Sequence, residues 1–230
     1  MAATVTNVGT NTSTSSSSTL TLGSVTASVG DWLVVMVAAN NAGAGGATAA
    51  TQSASDGAGN TYTLRGSVII RDPGSANDGC EFAQFTCEVT SALSGGTITV
   101  SFSPNVTSKA ILAYRVQPGA GETISYSLAS SGSTGSSTTQ GSGSAATSTD
   151  QYCFAGNAIE TNTTVTGDSD TLDGSWSTML TAVANTGSDL TSMTVSGQWK
   201  GPGTSTNFQN RATTTAAAKG HPAELSVAEI

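Results

Sequence analysis

Charge is scarce in this sequence. Asp, Glu, Lys and Arg make up 10% of its 230 residues, and only seven residues are Lys or Arg. An average protein carries about 25% charged residues. Nucleic acids and anionic lipids bind to clustered basic faces, which seven basic residues and a net charge of -8 do not supply. We therefore expect a protein that binds neither nucleic acid nor a membrane surface.

The residue types of enzyme active sites are also few. His221 is the only histidine, and no nucleophile motif or zinc-ligand spacing surrounds it. Fifteen acidic residues leave the paired carboxylates of a glycan hydrolase open, with Glu81, Glu88 and Glu122 as candidates. Aromatic residues, at 5%, are few for lining the cleft of such an enzyme. We predict a protein that is not an enzyme and has no catalytic residues and no cofactor.

Three cysteines, Cys80, Cys87 and Cys153, leave at least one thiol free in a monomer. Cys80 and Cys87 are seven residues apart on one predicted strand, which separates them by roughly 23 Å, far beyond disulfide geometry. The sequence therefore predicts buried, free thiols.

Long apolar runs are absent except for one. Residues 32–39 follow a Gly-Asp turn and are β-branched, aromatic or aliphatic without a charge. This run is too short to cross a membrane and lacks helical spacing of polar residues, so it predicts a central strand covered on both faces.

What the sequence does contain is a series of short segments that alternate polar and apolar residues. They are separated by Gly, Pro and Asn turns, and examples lie at residues 97–102, 123–128, 193–199 and 223–230. Residues 110–116 form a second, nearly buried strand. About ten strands without a convincing helix predict an all-β protein, a single β-sandwich of jelly-roll type with long Ser/Thr/Gly-rich loops.

Ser and Thr supply roughly a third of the residues, which permits disorder, but 37% of the chain is hydrophobic and concentrated in evenly spaced runs. We therefore predict a flexible N-terminal arm at residues 1–18 and one folded domain at residues 19–230. Long loops are predicted at residues 40–55 and, with low complexity, at residues 130–149. Residues 216–218, a run of Ala, leave a helical turn open.

Two acidic segments are candidate cation sites. Residues 168–174 place carboxylates at alternate positions, as calcium loops do, but Leu172 stands where an oxygen ligand belongs and no bidentate Glu follows. Residues 56–60 form a strong turn signal whose carboxylate has a second explanation in turn formation. A solvated acidic turn is the simpler interpretation of both, and we predict no metal site.

Several motifs resemble those of a known class of proteins. The sequence reads Gly-Asp-Trp-Leu-Val-Val at residues 30–35, Asp-Gly-Ala-Gly-Asn-Thr-Tyr-Thr at residues 56–63, and has its second apolar strand at residues 110–116. This order resembles Ser/Thr/Gly-rich β-sandwich proteins of tailed-bacteriophage virions, most of all the head decoration (cement) proteins. The resemblance covers residues 20–120.

The resemblance implies a mechanical function. A decoration protein binds the outside of the major capsid protein shell and stabilises it, commonly as a homotrimer. Residues 1–6 lack the basic and apolar regions of a leader, which fits synthesis in the host cytoplasm and a final place on the capsid surface. The resemblance assigns capsid contact to residues 1–18, 40–55 and 130–149 collectively.

A carbohydrate- or receptor-binding module of a tail fibre or bacterial surface protein is the alternative. Trp176 and Trp199 are its candidate sugar-stacking side chains, with burial in the core as the competing interpretation. Exposure of either indole ring beside Asp or Asn favours sugar binding, whereas burial of both, together with an ordered N-terminal arm that contacts another chain, favours the structural role.

Overall fold

In a computed structural model, the structure describes residues 3–40, 50–69, 79–131, 135–141, 151–169, 176–201 and 211–229. These residues form fifteen strands and one short 3-10 helix at Asp189–Thr191. The strands are β1 Thr4–Ser13, β2 Ser17–Ala27, β3 Trp32–Asn40, β4 Thr51–Asp56, β5 Thr63–Ile69, β6 Cys80–Glu88, β7 Leu93–Val106, β8 Lys109–Gln117, β9 Ser125–Ser131, β10 Gly135–Gly141, β11 Gln151–Glu160, β12 Val165–Thr166, β13 Leu180–Ala184, β14 Met193–Lys200 and β15 Arg211–Glu229. Within the described ranges, no helix has the length and apolar character needed to span a membrane.

The described strands pair antiparallel in separate sheets. The central sheet has the order β1-β8-β3-β6-β5, and a three-stranded sheet has the order β2-β7-β4. The seven-stranded sheet has the order β10-β15-β11-β14-β13, with β9 and β12 also paired to β15. The predicted all-β class is confirmed. A single jelly-roll sandwich is not confirmed, because the strands lie in more than two sheets.

The central sheet is covered on both faces. Successive side chains of a strand point to opposite faces, and β3 is apolar at nearly every position. Val34 and Met36 pack in one core with residues of the seven-stranded sheet, such as Phe154. Val35, between them, packs in the opposite core with residues of the three-stranded sheet, such as Phe102. The prediction of a central strand buried on both faces is confirmed.

A pair of glycines lets the seven-stranded sheet approach the central one closely. Gly156 of β11 lies opposite Gly197 of β14 in the register of that sheet. A Cβ atom at Gly156 would overlap the ring of Phe82 and lie 2.7 Å from Met36 Sδ, and one at Gly197 would lie 2.9 Å from the same sulfur. Any larger side chain at these two positions would push the sheets apart.

The predicted N-terminal arm is wrong for most of its length. Residues 4–13 form β1, which pairs with β8 along the edge of the central sheet. Backbone hydrogen bonds hold this Thr- and Asn-rich segment in the sheet, and its few apolar side chains add contacts, since Val5 packs against one core and Val8 against the other. Two side chains fasten the segment further: Tyr152 Oη donates to Ala3 O at 2.7 Å, and Lys109 Nζ donates to Ser15 O at 2.8 Å.

The predicted loops also contain strands, for the same reason. Gly135–Gly141, inside the predicted low-complexity loop, forms β10 and pairs with β15, while residues 132–134 and 142–149 lie outside the described residues. Strand β4, Thr51–Asp56, begins inside the loop predicted at 40–55 and pairs with β7, and residues 41–49 lie outside the described residues. Residues 216–218, where a helical turn was open, belong to β15.

Candidate functional site

A cleft of about 240 Å³ lies at one end of the central sheet, and we call it the Trp32 cleft. Its lining comes from three neighbouring strands and the segments beside them: Trp32, Thr61, Thr63, Arg65, Thr86, Glu88 and Thr90. Strand register brings these residues together, since Trp32 of β3 pairs with Glu88 of β6 and Thr63 of β5 pairs with Thr86 of β6. The cleft therefore combines one indole ring, four threonines and one charge of each sign.

Backbone hydrogen bonds fix the position of Trp32. Gly30 has a φ of +91°, a conformation that glycine adopts without strain, and its N–H donates to Val89 O at 2.9 Å. Val89 N–H in turn donates to Asp31 O at 2.8 Å, and Asp31 Oδ2 accepts from Ser28 N–H at 2.8 Å. The turn that begins β3 is thus hydrogen-bonded to the end of β6, which fixes the backbone next to Trp32.

The Trp32 ring is half-buried and packs against a second aromatic ring. The centroids of Trp32 and Tyr126 lie 5.3 Å apart with the planes tilted by 32°. Burial raises the pKa of Tyr126 well above its usual value, and the positive charge of Arg65 partly opposes that rise. The contact holds the indole in one orientation while part of its surface lines the cleft.

The polar side chains of the cleft are partly engaged and partly open. Arg65 Nε donates to Thr86 Oγ1 at 2.7 Å, which orients a guanidinium that has further N–H donors on its two terminal nitrogens. Glu88, Thr63 and Thr90 are exposed. The cleft therefore offers part of an apolar ring flanked by hydrogen-bond donors and acceptors.

The two tryptophans proposed from the sequence are placed differently. Trp176 is buried, 7% exposed, with Lys200 Nζ 5.6 Å from its ring centroid. Trp199 is half-buried in β14 and packs against Tyr152, with centroids 6.1 Å apart. Trp176 has no open face for a sugar. Trp32, predicted from the sequence only as the start of a buried strand, does line a cleft.

The carboxylates proposed for a hydrolase do not meet in one cleft. Glu81 and Glu88 lie on β6 seven residues apart, so their side chains point to opposite faces of the central sheet. Glu81 is fully buried against the three-stranded sheet, whereas Glu88 is exposed in the Trp32 cleft. Glu122 accepts a hydrogen bond from Gly119 N–H in the turn before β9.

The turn at residues 56–60 is held by side-chain hydrogen bonds that also connect it to a second loop. Asp56 accepts hydrogen bonds from Ala58 N–H, Asn60 N–H, Asn60 Nδ2 and Tyr62 Oη, at 2.9 to 3.1 Å. Burial raises the pKa of Asp56, but these hydrogen bonds outweigh that effect and lower it below its usual value. Asn60 Oδ1 accepts from Thr90 and Ser91, which joins this turn to the β6–β7 connection. Both oxygens of Asp56 are already occupied by donors.

The described residues bring none of the remaining candidates together into a site. Asp168 is described, but residues 170–174 of the possible calcium loop lie outside the described residues. His221 lies in β15, where its register partner is Ala158. Over the described ranges, no three His, Cys, Asp or Glu residues are grouped so as to hold a metal ion.

None of the three cysteines forms a disulfide and all three are buried, as predicted. Cys80 packs in the core on one face of the central sheet and Cys87 in the core on the other. Burial raises the pKa of the Cys87 thiol and that of the Cys153 thiol to about 12 each. The thiolate, which is the reactive form, is therefore suppressed at neutral pH.

Comparison with known proteins gives no relative. No family model, no curated protein and no solved structure matches the chain.

Proposed function

We propose that the chain is a non-enzymatic structural protein of a phage virion, a decoration protein that binds the outside of the major capsid protein shell and stabilises it. The observation that carries this proposal is the order of the first eight strands. Strands β1-β8-β3-β6 lie beside one another in one sheet, and β2-β7-β4 lie in the sheet that packs on it. This order supports a jelly-roll connectivity for residues 4–117, with β5 moved to the edge of β6. Jelly rolls are frequent in viral capsid proteins.

The use of buried polar groups also supports a mechanical role. Asp56 and Asn60 join two loops, Lys109 and Tyr152 fasten the N-terminal segment, and Tyr114 Oη donates to Gly197 O between two sheets at 2.6 Å. Each of these groups adds rigidity between segments distant in sequence. A rigid body that binds only the assembled shell stabilises that state by mass action, and three linked copies multiply weak contacts.

The test combines particles from the source with the purified chain. We expect cryo-EM of gradient-purified particles to show trimeric density on the outer surface of an icosahedral shell, with peptides of this chain identified by mass spectrometry. Mass photometry of the purified chain should show the trimer. A monomer that is absent from every particle, and that does not bind undecorated shells when added back, contradicts the proposal.

A further inference from the structure

We propose that the Trp32 cleft is a binding site for a neutral pyranose, the terminal ring of a glycan. This function goes beyond capsid decoration and does not depend on it. The lining residues that the structure describes come from one chain, from β3, β5, β6 and their adjoining segments. The site can therefore be tested on the purified protein.

Trp32 supplies the stacking surface. One face of a pyranose presents several C–H groups, which carry slight positive charge and pack against the negative face of an aromatic ring. Trp32 is held by Tyr126 on one side and by the locked turn at Gly30 and Asp31. A ring fixed in this way loses little conformational freedom when a ligand stacks on it.

Glu88 and Arg65 supply the hydrogen bonds that orient the sugar. The Glu88 carboxylate is exposed beside Trp32 and has two acceptor oxygens, which match a pair of neighbouring hydroxyl groups. Arg65 lines the cleft, and because its Nε donates to Thr86 Oγ1 at 2.7 Å, its two terminal nitrogens remain as donors for oxygen atoms of the ligand. Charged partners form stronger hydrogen bonds than neutral ones, so these two residues carry most of the polar selectivity.

Cleft size and charge narrow the ligand class. A volume of about 240 Å³ is below the range of roughly 300–1,000 Å³ typical of sites for drug-sized ligands, so the cleft holds one ring rather than a chain of sugars. An acidic sugar would gain an ion pair with Arg65, but its carboxylate would also lie near Glu88, and the protein as a whole carries a net charge of -8. A neutral ring avoids both repulsions.

The test is saturation-transfer difference NMR on the full chain with methyl glycosides of glucose, galactose and mannose, and with N-acetylneuraminic acid as the acidic probe. We expect saturation transfer to at least one neutral glycoside, with weak affinity because one ring makes few contacts. Trp32→Leu and Glu88→Gln should each weaken binding by about tenfold or more. Trp199→Leu, outside the cleft, is the matched control and should bind like the parent.

Two cleft variants are needed because a variant that fails to fold would also lose binding. Trp32 packs against the core, so its replacement must be checked by circular dichroism, whereas Glu88 is exposed and its amide is isosteric. The proposal is overturned by the absence of saturation transfer to every neutral glycoside, by binding of the acidic sugar alone, or by binding that Glu88→Gln leaves unchanged. Loss of binding in Trp199→Leu but not in the cleft variants also overturns it.

Discussion

At the scale of single residues, Glu81 places a buried carboxyl group in the central sheet, and this burial lowers the free energy of unfolding when the group is charged. It is fully buried and accepts hydrogen bonds from Ala50 N–H at 2.6 Å and Gln52 Nε2 at 2.8 Å. Lys109 lies on the same face, because both residues pair with Ala39 from opposite sides. Two strand spacings, roughly 10 Å, separate them, and Lys109 Nζ donates to the carbonyls of Ser15 and Val106 instead. Among the residues that the structure describes, no cation forms an ion pair with the Glu81 carboxylate.

This burial predicts a pH-dependent stability. Loss of solvation raises the pKa of Glu81 from 4.5 to about 7, and its two hydrogen bonds only partly oppose the rise. The folded state binds the proton of Glu81 more tightly than the unfolded state does. The resulting contribution to the free energy of unfolding is therefore complete below pH 4.5 and is lost as the pH rises to 7. The loss is about 3 kcal/mol. We expect Glu81→Gln to remove this part of the pH dependence and to raise the free energy of unfolding at pH 8.

Urea unfolding at several pH values between 4 and 8 measures the effect. Glu88→Gln on the same strand is the matched control, because Glu88 is exposed, and it should keep the pH dependence of the parent. Equal pH dependence in Glu81→Gln and the parent protein would show that the carboxyl group is already solvated in the folded state.

At the scale of strands, those held by buried apolar side chains can be predicted from the sequence, whereas those held mainly by backbone pairing cannot. The central strand predicted at residues 32–39 is β3, Trp32–Asn40. The prediction succeeds because an uncharged apolar run of this length is stable only when it is buried on both faces of a sheet. The segments that form β1 and β10 were missed, since β10 has no large apolar residue and β1 has only Val5 and Val8, so that both strands depend mainly on backbone pairing with β15 and β8.

The candidate site was missed for a related reason. The Trp32 cleft is assembled from residues up to 58 positions apart (90 minus 32), and only the pairing of β3 with β6 and of β6 with β5 joins them. No local pattern announces such pairings. The one available signal was the position of Trp32, the first residue of its strand, where a large ring reaches the end of the sheet.

The approach of two sheets at Gly156 gives a second prediction. Gly156→Ala would place a methyl group against Phe82 and Met36, and we expect it to lower the free energy of unfolding by about 1–3 kcal/mol, the usual cost of overpacking. The matched control is Gly23→Ala in β2, where a Cβ atom meets nothing within 4 Å. Urea unfolding at one pH compares the two. A Gly156→Ala protein as stable as the Gly23→Ala protein would place the two sheets further apart.

At the scale of the whole molecule, two hydrophobic cores share one sheet. One core lies between the central and seven-stranded sheets, and the other lies between the central and three-stranded sheets. Unfolding of either core exposes one face of β3, β6 and β8, which removes support from the other. The molecule should therefore unfold as one cooperative unit.

Differential scanning calorimetry tests this cooperativity. We expect one transition. Phe154→Ala and Phe102→Ala, one in each core, should each lower the midpoint temperature of that same transition, because each lowers the free energy of unfolding by about 3–5 kcal/mol. Circular dichroism and tryptophan fluorescence should report the same midpoint. Two transitions, each moved by only one of the two substitutions, would instead mean that the cores unfold independently.

The buried thiols have a practical consequence for labelling. Cys80, Cys87 and Cys153 are the only cysteines of the chain, and all three are enclosed in the fold. A maleimide dye or gold cluster should therefore leave the native protein unmodified. Val29, 65% exposed in the turn before β3, is a suitable position for a single introduced cysteine. A tag attached there would mark this chain on a much larger particle without prior removal of the native thiols.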